Sequence, residues 1–379
     1  MTAWGTFGEV IKIDGLAKNP STLKVLDSGV RQTMVGNPLK VVTPVNAGIQ
    51  TLIKEVIITD VEAAHPDPTV ISRAPFQLQP KPAWLRIRMA GGPKFSRIKG
   101  LIQEDALHTV CQEARCPNQG ECFSQGTSTF LLMGNRCTRN CTFCAVPPGP
   151  PKPLEADEPE KVAAAIQKMG IPYAVLTSVT RDDLPDGGAE HVRRTVLAIK
   201  EQAPGTMVEC LIPDFQGREE SLQRVAESRP AVINHNVETV PRLYAQVRPG
   251  SDYKRSLSLL NYFKNRVPEV LTKSGLMVGL GEKEAEVLAV LQELRNQGCS
   301  LLTIGQYLQP TPAHLPVRRY VPPAEFAAWE ERARQMGFEG VASGPLVRSS
   351  YQAASLYRQA LSGIKVTDSQ KVRLQAEGD

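Results

Sequence analysis

The chain has 379 residues, of which 41% are hydrophobic and 22% are charged. These proportions are ordinary for a globular protein with one large domain or two smaller ones, and no apolar run approaches the length of a membrane span. The net charge of +5 is mild and indicates no particular class of partner. Eight cysteines without an apolar signal segment argue against a disulfide framework, so we expect a reducing compartment and predict the cytoplasm.

Residues 1–79 are predicted to form a poorly defined N-terminal extension. They contain no cysteine, and their scattered acidic residues argue against a transit peptide. Two β-branched runs, at 41–43 and 56–59, are candidate strands, and prolines between 66 and 82 mark a linker. Residues 81–100 carry six Lys or Arg and no acid. Such a run is usually a solvated face, but it can dock an acidic partner; nucleic acid is not expected, because aromatic residues are not interleaved with it.

Six of the eight cysteines fall in one short window, as two triplets with different spacings. The gaps are four and five residues in the first triplet, and three and two in the second. In chain order the members are Cys111, Cys116 and Cys122, then Cys137, Cys141 and Cys144. Three thiolates hold three irons of a [4Fe–4S] cluster and leave the fourth iron open, so the window predicts two clusters.

Two other classes of protein use cysteines in this way and are weaker alternatives. Structural zinc needs four ligands, yet no second CxxC pair and no His pair at ligand spacing follow in this sequence. An electron carrier of the ferredoxin type needs fully ligated clusters and no large barrel. The two remaining cysteines, at 210 and 299, are expected to be small buried hydrophobic residues.

From residue 128 the sequence alternates buried strand-like runs with amphipathic helical segments. This alternation predicts a parallel sheet, and the number of units fits a partial (β/α)6 barrel related to the TIM barrel, an α/β fold. No GxGxxG follows the first strand, so a dinucleotide-binding sheet is less favoured. The six predicted strands lie at 128–133, 173–179, 207–212, 231–234, 276–280 and 301–307.

The second cysteine triplet follows the first predicted strand, at the face where parallel barrels build their active sites. Its spacing, with Phe143 before the last cysteine, resembles the cluster motif of the radical S-adenosylmethionine (SAM) superfamily. The resemblance implies that Cys137, Cys141 and Cys144 bind a [4Fe–4S] cluster whose open iron takes the amine and carboxylate of SAM. One-electron cleavage of SAM then yields a radical that removes hydrogen from an unactivated carbon, which amino-acid acid–base chemistry cannot do.

The same resemblance points to further SAM contacts. The segment 275–282, with Gly279 and Glu282, is similar to a glycine-bearing strand beside the adenosine. Asp183 follows the second strand, while Glu209 and Asn236 lie near the ends of the third and fourth. Each of these signals is weak alone, because glycines after strands are often turns and an Asp near a helix start is often a cap.

The first triplet and one C-terminal motif narrow the resemblance to the lipoyl synthase family. Cys111-x4-Cys116-x5-Cys122 upstream of the radical SAM motif is similar to that family, and so is the Arg-Ser-Ser-Tyr run at 348–351. The resemblance implies that a serine of this run, Ser350 in preference to Ser349, is the fourth ligand of an auxiliary [4Fe–4S] cluster whose sulfides are consumed. Arg348 is expected to favour the ionised serine or to gate access. A hard alkoxide suits iron less well than thiolates do, so it is a labile ligand.

Four segments follow from these resemblances. They are the extension at 1–79, an auxiliary cluster segment at 80–126, the radical SAM partial barrel at 127–320, and a C-terminal helical segment at 321–379 that carries the Arg-Ser-Ser-Tyr motif and caps the barrel. Three residues after the last predicted strand, Tyr307, Gln309 and His314, are candidates for lining an acyl channel.

The implied activity is insertion of two sulfur atoms at carbons 6 and 8 of a protein-bound octanoyl-lysine, with two SAM molecules cleaved. The implied partners are octanoylated carriers (lipoyl domains of 2-oxoacid dehydrogenases and the glycine cleavage carrier protein), an electron donor such as ferredoxin or flavodoxin, and an iron–sulfur carrier. Neither nucleic acid nor a membrane is expected as a partner. The alternative is another radical SAM sulfur-inserting enzyme, a methylthiotransferase or a biotin-synthase-like protein.

Overall fold

The structure, a computed structural model, describes residues 23–27, 30–34, 80–86, 91–124 and 127–363. The chain divides into two compact units, Met1–Pro66 and Asp67–Asp379. In the first unit β1 (Leu23–Asp27) pairs antiparallel with β2 (Val30–Met34). The strands predicted at 41–43 and 56–59 and most of the predicted linker lie outside the described residues.

The second unit is built on a parallel sheet of seven strands that are neighbours in chain order. This order is that of a barrel built from successive βα units, and it confirms the predicted α/β class. The first and last strands do not pair with each other in the described part of the chain, so the barrel is open. The strands are β3 (Thr129–Leu132), β4 (Tyr173–Ser178), β5 (Met207–Leu211), β6 (Val232–Asn234), β7 (Leu271–Val278), β8 (Leu301–Gln306) and β9 (Gly340–Gly344).

Helices connect the successive strands and flank the sheet at both ends. Three short or medium helices precede the sheet, and the last helix follows it. None of the described helices is both long and apolar enough to cross a membrane. The helices are α1 (Pro93–Glu104), α2 (Val110–Glu113), α3 (Gln119–Ser124), α4 (Glu158–Met169), α5 (Ala189–Gln202), α6 (Glu219–Glu227), α7 (Tyr244–Val247), α8 (Tyr253–Arg266), α9 (Glu284–Asn296), α10 (Pro323–Gln335) and α11 (Ala353–Gly363).

The local sequence explains these elements well. Every residue of β8 is buried, as expected of a parallel strand covered on both faces. Helix α4 carries Pro159 in its first turn and Lys168 in its last, and it ends at Gly170, whose φ of 63° suits a left-handed C-cap. The apolar faces of helices α4 to α10 and the strands β3 to β9 form one continuous core.

A smaller core lies under the segment that carries the first cysteine triplet. Ile98 and Ile102 of α1 pack against Cys111 and Phe123. Helices α1, α2 and α3 therefore have their own apolar contacts, and the main-chain N–H of Leu131 in β3 bonds to the His108 carbonyl at 2.9 Å. These contacts fix the first triplet beside the edge of the sheet.

The seventh strand was not predicted. A helical segment was expected after residue 320, but the chain there also forms β9, which pairs in parallel with β8 and lies between α10 and α11 in the sequence. Its sequence, Gly-Val-Ala-Ser-Gly, contains one β-branched residue, so it lacks the usual strand signal. It adds to the sheet because its backbone fits against β8, where Gly305 lies opposite Gly344.

Candidate active site and cluster cavity

One cavity of about 800 Å³ brings together most of the predicted site. Its wall is formed by the segment with the first triplet, the carboxyl ends of the barrel strands and the C-terminal run at 347–355. All eight cysteines belong to the described residues and none is in a disulfide. All six cysteines of the two triplets line this cavity, whereas Cys210 and Cys299 are buried elsewhere.

The second triplet lies on the loop between β3 and α4. The loop is closed at its base, where the Cys137 N–H bonds to the Pro147 carbonyl at 3.0 Å and the Gly149 N–H bonds to the Cys137 carbonyl at 2.9 Å. The N–H groups of Arg139 and Thr180 donate to Cys137 Sγ at 3.4 and 3.3 Å. Two N–H donors aimed at one sulfur hold it in a fixed position on the loop.

Arg139, within the second triplet, anchors this loop to two neighbouring loops. Its guanidinium is buried and donates to Asp182 at 2.8 and 3.1 Å and to Asp214 at 2.6 Å. Burial alone would raise the pKa of Asp214, but the hydrogen bond from Arg139 holds it below its usual value. Because the two carboxylates follow β4 and β5, the ion pairs fix the cysteine loop against the open end of the barrel.

The first triplet spans α2 and α3. Cys111 is in α2 and Cys122 in α3, with Cys116 in the turn between them. Burial raises the pKa of Cys111 to about 12 and that of Cys122 to about 11. The neighbouring thiols contribute to both shifts, which places the three sulfurs within electrostatic reach of one another.

Two long-range hydrogen bonds hold the C-terminal run beside the first triplet. Asn118 Nδ2 donates to the Leu346 carbonyl at 2.7 Å, and Tyr351 Oη donates to Glu121 Oε1 at 3.0 Å. They flank Arg348 and the two serines on both sides. Ser349 and Ser350 therefore reach the same part of the cavity wall as the first triplet.

A charged group lies between the two triplets. Arg348 is close enough to Cys116 and to Glu238 to interact electrostatically with both, and it counters the burial that raises the pKa of Cys116. Glu238 in turn lies within electrostatic reach of Cys141, Cys144 and Arg248. Burial raises the pKa of Glu238, although both arginines oppose this. The carboxylate of Glu238 and the guanidinium groups of Arg248 and Arg348 thus connect the surroundings of the two cysteine triplets.

The amino-acid sequence matches one protein-family model and is about half identical to several curated proteins. Residues 131–294 match the model of the radical SAM superfamily. The chain is 54% identical over 290 residues to a lipoyl synthase of Nitrosococcus oceani, covering 75% of this chain and 90% of that protein. It is 54% identical over 273 residues to a lipoyl synthase of Caldanaerobacter subterraneus, covering 72% and 95%. A third lipoyl synthase, from Pseudomonas fluorescens, is 48% identical over 323 residues, covering 80% of this chain and 95% of that protein.

The chain belongs to the lipoyl synthase family. This membership confirms the predicted radical SAM enzyme and its cofactors, SAM and [4Fe–4S] clusters.

The residues on the cavity wall fit these lipoyl synthase cofactors. Four buried polar atoms on the wall have no hydrogen-bond partner among the described residues: Ser128 Oγ, Ser178 Oγ, Asn236 Oδ1 and Arg248 Nε. Buried polar atoms are normally hydrogen-bonded, so these four fit a polar molecule in the cavity. No three His, Cys, Asp or Glu side chains in the described ranges are placed around a single metal ion. The six thiols line one cavity as two triplets, the number of thiolates that leaves one iron of each [4Fe–4S] cluster open.

Two of the six predicted SAM contacts line the cavity, namely Phe143 and Asn236. Asp183 does not line the cavity. Its carboxylate instead forms an ion pair with the guanidinium of Arg181 at 2.8 Å. Glu209 is fully buried inside the barrel, where it accepts hydrogen bonds from Lys273 Nζ at 2.8 Å and from Tyr173 Oη at 2.8 Å.

The two remaining predicted contacts shape a turn next to the cavity. Glu282 accepts hydrogen bonds from the N–H groups of Gly279 and Leu280 at 2.6 and 2.9 Å. Gly279 has a φ of 97° and packs against Gln306 and the Arg319 carbonyl, so the turn has no space for a side chain. Neither residue lies on the cavity wall.

Three residues around this cavity were not predicted from the sequence: Arg139, Glu238 and Arg248. Arg139 lies between Cys137 and Cys141, and this position in the sequence could have indicated that it belongs to the site. Glu238 has a positive φ of 66°, which the sequence does not reveal. Of the acyl-channel candidates, Tyr307 and Gln309 line the cavity, whereas His314 bonds to the Cys144 carbonyl at 2.9 Å without lining it.

Proposed function

We propose that this enzyme inserts two sulfur atoms at carbons 6 and 8 of an octanoyl chain that is amide-linked to a lysine of a carrier protein. The observation that carries the proposal is the shared cavity: both cysteine triplets and the run at 348–350 line it. A substrate carbon in this cavity can therefore lie near a SAM site and near a sulfur source at once.

The two triplets take different roles in this proposal. Cys137, Cys141 and Cys144 would hold the cluster that binds SAM. Cys111, Cys116 and Cys122 would hold, with a serine, the auxiliary cluster whose sulfur is a substrate of the reaction. When bound, the first cluster and SAM supply the one-electron chemistry that removes hydrogen from unactivated carbon.

Ser350 is the better candidate for the serine ligand. Ser349 Oγ accepts a hydrogen bond from Asn236 Nδ2 at 2.5 Å and is therefore already engaged. The Ser350 hydroxyl lines the cavity and has no hydrogen-bond partner in the part of the chain that the structure describes. A free hydroxyl on the wall that also carries the three thiols supports this role, and Arg348 on the same wall would stabilise an ionised oxygen.

The remaining side chains hold these groups in place and keep water out. Arg139 orients the loop of the second triplet through its two carboxylate partners. Tyr307 is buried and donates to the Leu315 carbonyl at 2.7 Å, which fixes the chain after β8. The cavity wall also includes Val175, Leu276 and Met277, apolar side chains suited to an acyl chain.

The segment boundaries and the partners also remain part of the proposal. We assign the auxiliary cluster segment to 80–126, the radical SAM barrel to 127–320 and the capping segment to 321–379. Octanoylated carrier proteins are the substrates, while ferredoxin or flavodoxin would supply electrons and an iron–sulfur carrier would supply clusters.

The proposal is tested with anaerobically reconstituted protein, SAM, a reductant and an octanoyl-lysine peptide. Mass spectrometry is expected to show a peptide with two added sulfurs together with 5′-deoxyadenosine. Cys111→Ala removes one thiol of the first triplet, so sulfur insertion should stop while 5′-deoxyadenosine still forms. Cys141→Ala should abolish both products.

Cys210→Ala is the matched control, because Cys210 is a buried thiol that does not line the cavity. It should leave both products near the wild-type level. Deoxyadenosine without sulfur on the peptide in the wild-type protein would contradict the proposed substrate. Equal loss of sulfur insertion in Cys210→Ala and Cys111→Ala would contradict the role of the first triplet.

A further inference from the structure

The opening of the cavity carries an unbalanced positive charge. Seven of the residues that line the cavity are exposed. A lining residue that is exposed lies where the cavity opens to solvent, so these seven mark its mouth. Three of the seven are cations, namely Lys81, Arg115 and Arg358, and the other four are uncharged. We call these three residues the cationic rim. The one acid on the cavity wall, Glu238, is not among the exposed residues.

We propose that the cationic rim is a docking surface for an acidic patch on the carrier protein, around the lysine that bears the acyl chain. This inference rests on the proposed function and extends it, since it assigns the surface that recognises the partner. The three residues come from the segment before α1, the turn after α2 and helix α11, so the fold gathers them from distant parts of the chain.

The rim residues lack partners, unlike many of the other exposed cations among the described residues. Many surface arginines of the barrel pair with a carboxylate, as Arg242 does with Glu286 at 2.7 Å and Arg319 with Glu325. The side chains of the three rim residues make no hydrogen bond or ion pair to any residue that the structure describes. Like charges around one opening repel one another, and an acidic partner removes this repulsion.

The basic run at 81–99 does not act as one surface. Lys81 lines the cavity, whereas Arg97 donates from α1 to the Lys168 carbonyl at the end of α4, at 3.1 Å. Only the first part of the run therefore belongs to the rim. Trp84, in the short 3-10 turn that follows Lys81, is 43% exposed.

These features favour a protein partner over a nucleic acid. Trp and Arg are the residues that most often anchor protein interfaces, and the exposed Trp84 supplies a single such anchor near Lys81. Channels for single-stranded nucleic acid instead present several aromatic side chains for successive bases, and none of the seven exposed residues on the described cavity wall is aromatic.

The test compares a carrier protein with a small substrate. Binding of an octanoylated lipoyl domain to the reconstituted enzyme is measured by fluorescence anisotropy, and conversion of an uncharged octanoyl-lysine tripeptide is measured by mass spectrometry. The double variant Lys81→Glu/Arg358→Glu leaves Arg115, the neighbour of Cys116, unchanged. It should weaken carrier binding by ~30-fold or more, since reversal places like charges across the interface. Conversion of the tripeptide should stay within about twofold of wild type, because the rim lies outside the reacting groups.

The control is Lys254→Glu/Arg332→Glu, which changes the net charge by the same amount. Both residues are exposed, and their side chains have no partner among the described residues and do not line the cavity. Carrier affinity should be close to wild type in this pair. Wild-type carrier affinity should also fall with rising salt concentration. This salt dependence should be much weaker in Lys81→Gln/Arg358→Gln. The glutamine variant replaces the charge reversal in the test if the reversed protein does not load iron.

Three results would overturn the inference. The first is unchanged carrier affinity in the rim variants, the second an equal loss in the control pair. The third is a rim-dependent loss of binding to a single-stranded RNA oligonucleotide while carrier binding persists. Failure of the wild-type enzyme to add sulfur to the tripeptide would instead count against the proposed function, whatever the carrier affinities show.

Discussion

Asn236 is the side chain that connects the barrel to the C-terminal run. Its Nδ2 donates to Ser349 Oγ at 2.5 Å and to Glu238 Oε1 at 3.0 Å, and the main-chain carbonyl of Asn236 accepts from Arg248 Nη1 at 2.8 Å. The serine next to its partner is the proposed cluster ligand. Asn236 is therefore a positioning residue for Ser350 as well as part of the cavity wall.

We predict that Asn236→Ala loosens the auxiliary cluster. The experiment uses a Cys141→Ala background, in which only the first triplet is expected to hold iron. Loss of one hydrogen bond is worth ~1 kcal/mol, so iron should leave to a chelator roughly fivefold faster, as followed by absorbance and Mössbauer spectra. Ser349→Ala should have a similar effect, and the double variant should add little. Fully additive losses would contradict a direct link between the two side chains.

His235 makes stability depend on pH. It is buried against the cavity, where Nδ1 donates to the Ile212 carbonyl at 2.8 Å and Nε2 lies 3.0 Å from Ser256 Oγ. Burial, with Arg248 nearby, lowers the pKa of His235 from 6.5 to about 4. The unfolded chain therefore takes up a proton at a higher pH than the folded chain does. The stability from the neutral ring is fully present above pH 6.5 and falls as the pH drops toward 4.

The cluster-free chain tests this dependence by urea unfolding between pH 7.5 and pH 4.5. The free energy of unfolding of wild type should fall by up to ~3 kcal/mol more than that of His235→Gln, because one pKa unit corresponds to ~1.4 kcal/mol. His108→Gln, at a partly exposed site, should follow the wild-type curve. Parallel curves for wild type and His235→Gln would refute the assignment.

At the scale of elements, the contact between β8 and the C-terminal run depends on a glycine. A Cβ at Gly305 would collide with the backbone carbonyl of Val347 and come within 3.3 Å of Arg348 Nη1. Gly344 lies opposite in β9, and a Cβ there would make only an ordinary contact of 3.4 Å with the Val347 side chain. The two glycines therefore form a matched pair for substitution.

Gly305→Ala should destabilise the protein by ~1–3 kcal/mol, because the rigid backbone of Val347 must move. Hydrogen exchange at 345–352 should become faster, since this run carries the displaced contact. Gly344→Ala should change the free energy of unfolding by less than ~0.5 kcal/mol and leave the exchange rates as they are. Similar behaviour of the two variants would show that the run does not depend on close approach at Gly305.

The strands show which elements a sequence can predict. β3 to β8 were found because each contains a buried apolar run between helical segments, which is the usual signal of a parallel sheet. β9 was missed because its small residues carry no such signal and its place is decided by pairing with β8. β7 begins at Leu271, earlier than the predicted start at residue 276. The first part was missed because Thr272, Lys273 and Ser274 are polar, which does not suggest a buried strand, although all three are fully buried.

At the scale of the whole molecule, the spacing of the cysteines predicted the two cluster motifs but not that both motifs line one cavity. The cysteine patterns are local, so their chemistry could be predicted directly. Glu209 was predicted to contact SAM, whereas the fold buries it in an ion pair with Lys273, a residue of another strand that the sequence does not show to be adjacent. The cationic rim was unpredictable for the same reason, since Lys81, Arg115 and Arg358 are adjacent only after folding.

The hydrogen bonds that join the first triplet to the C-terminal run also set an order of events during synthesis. Asn118 and Leu346 are 228 residues apart in the chain, and Glu121 and Tyr351 are 230 apart. Ribosomes add about 5–20 residues per second, so the thiols of this triplet wait roughly 10–50 s for their partner run. During that interval they are open to oxidants and to the wrong metals. Under the proposed role of this triplet, iron and sulfide would meet a complete site only after the run at 346–351 has emerged.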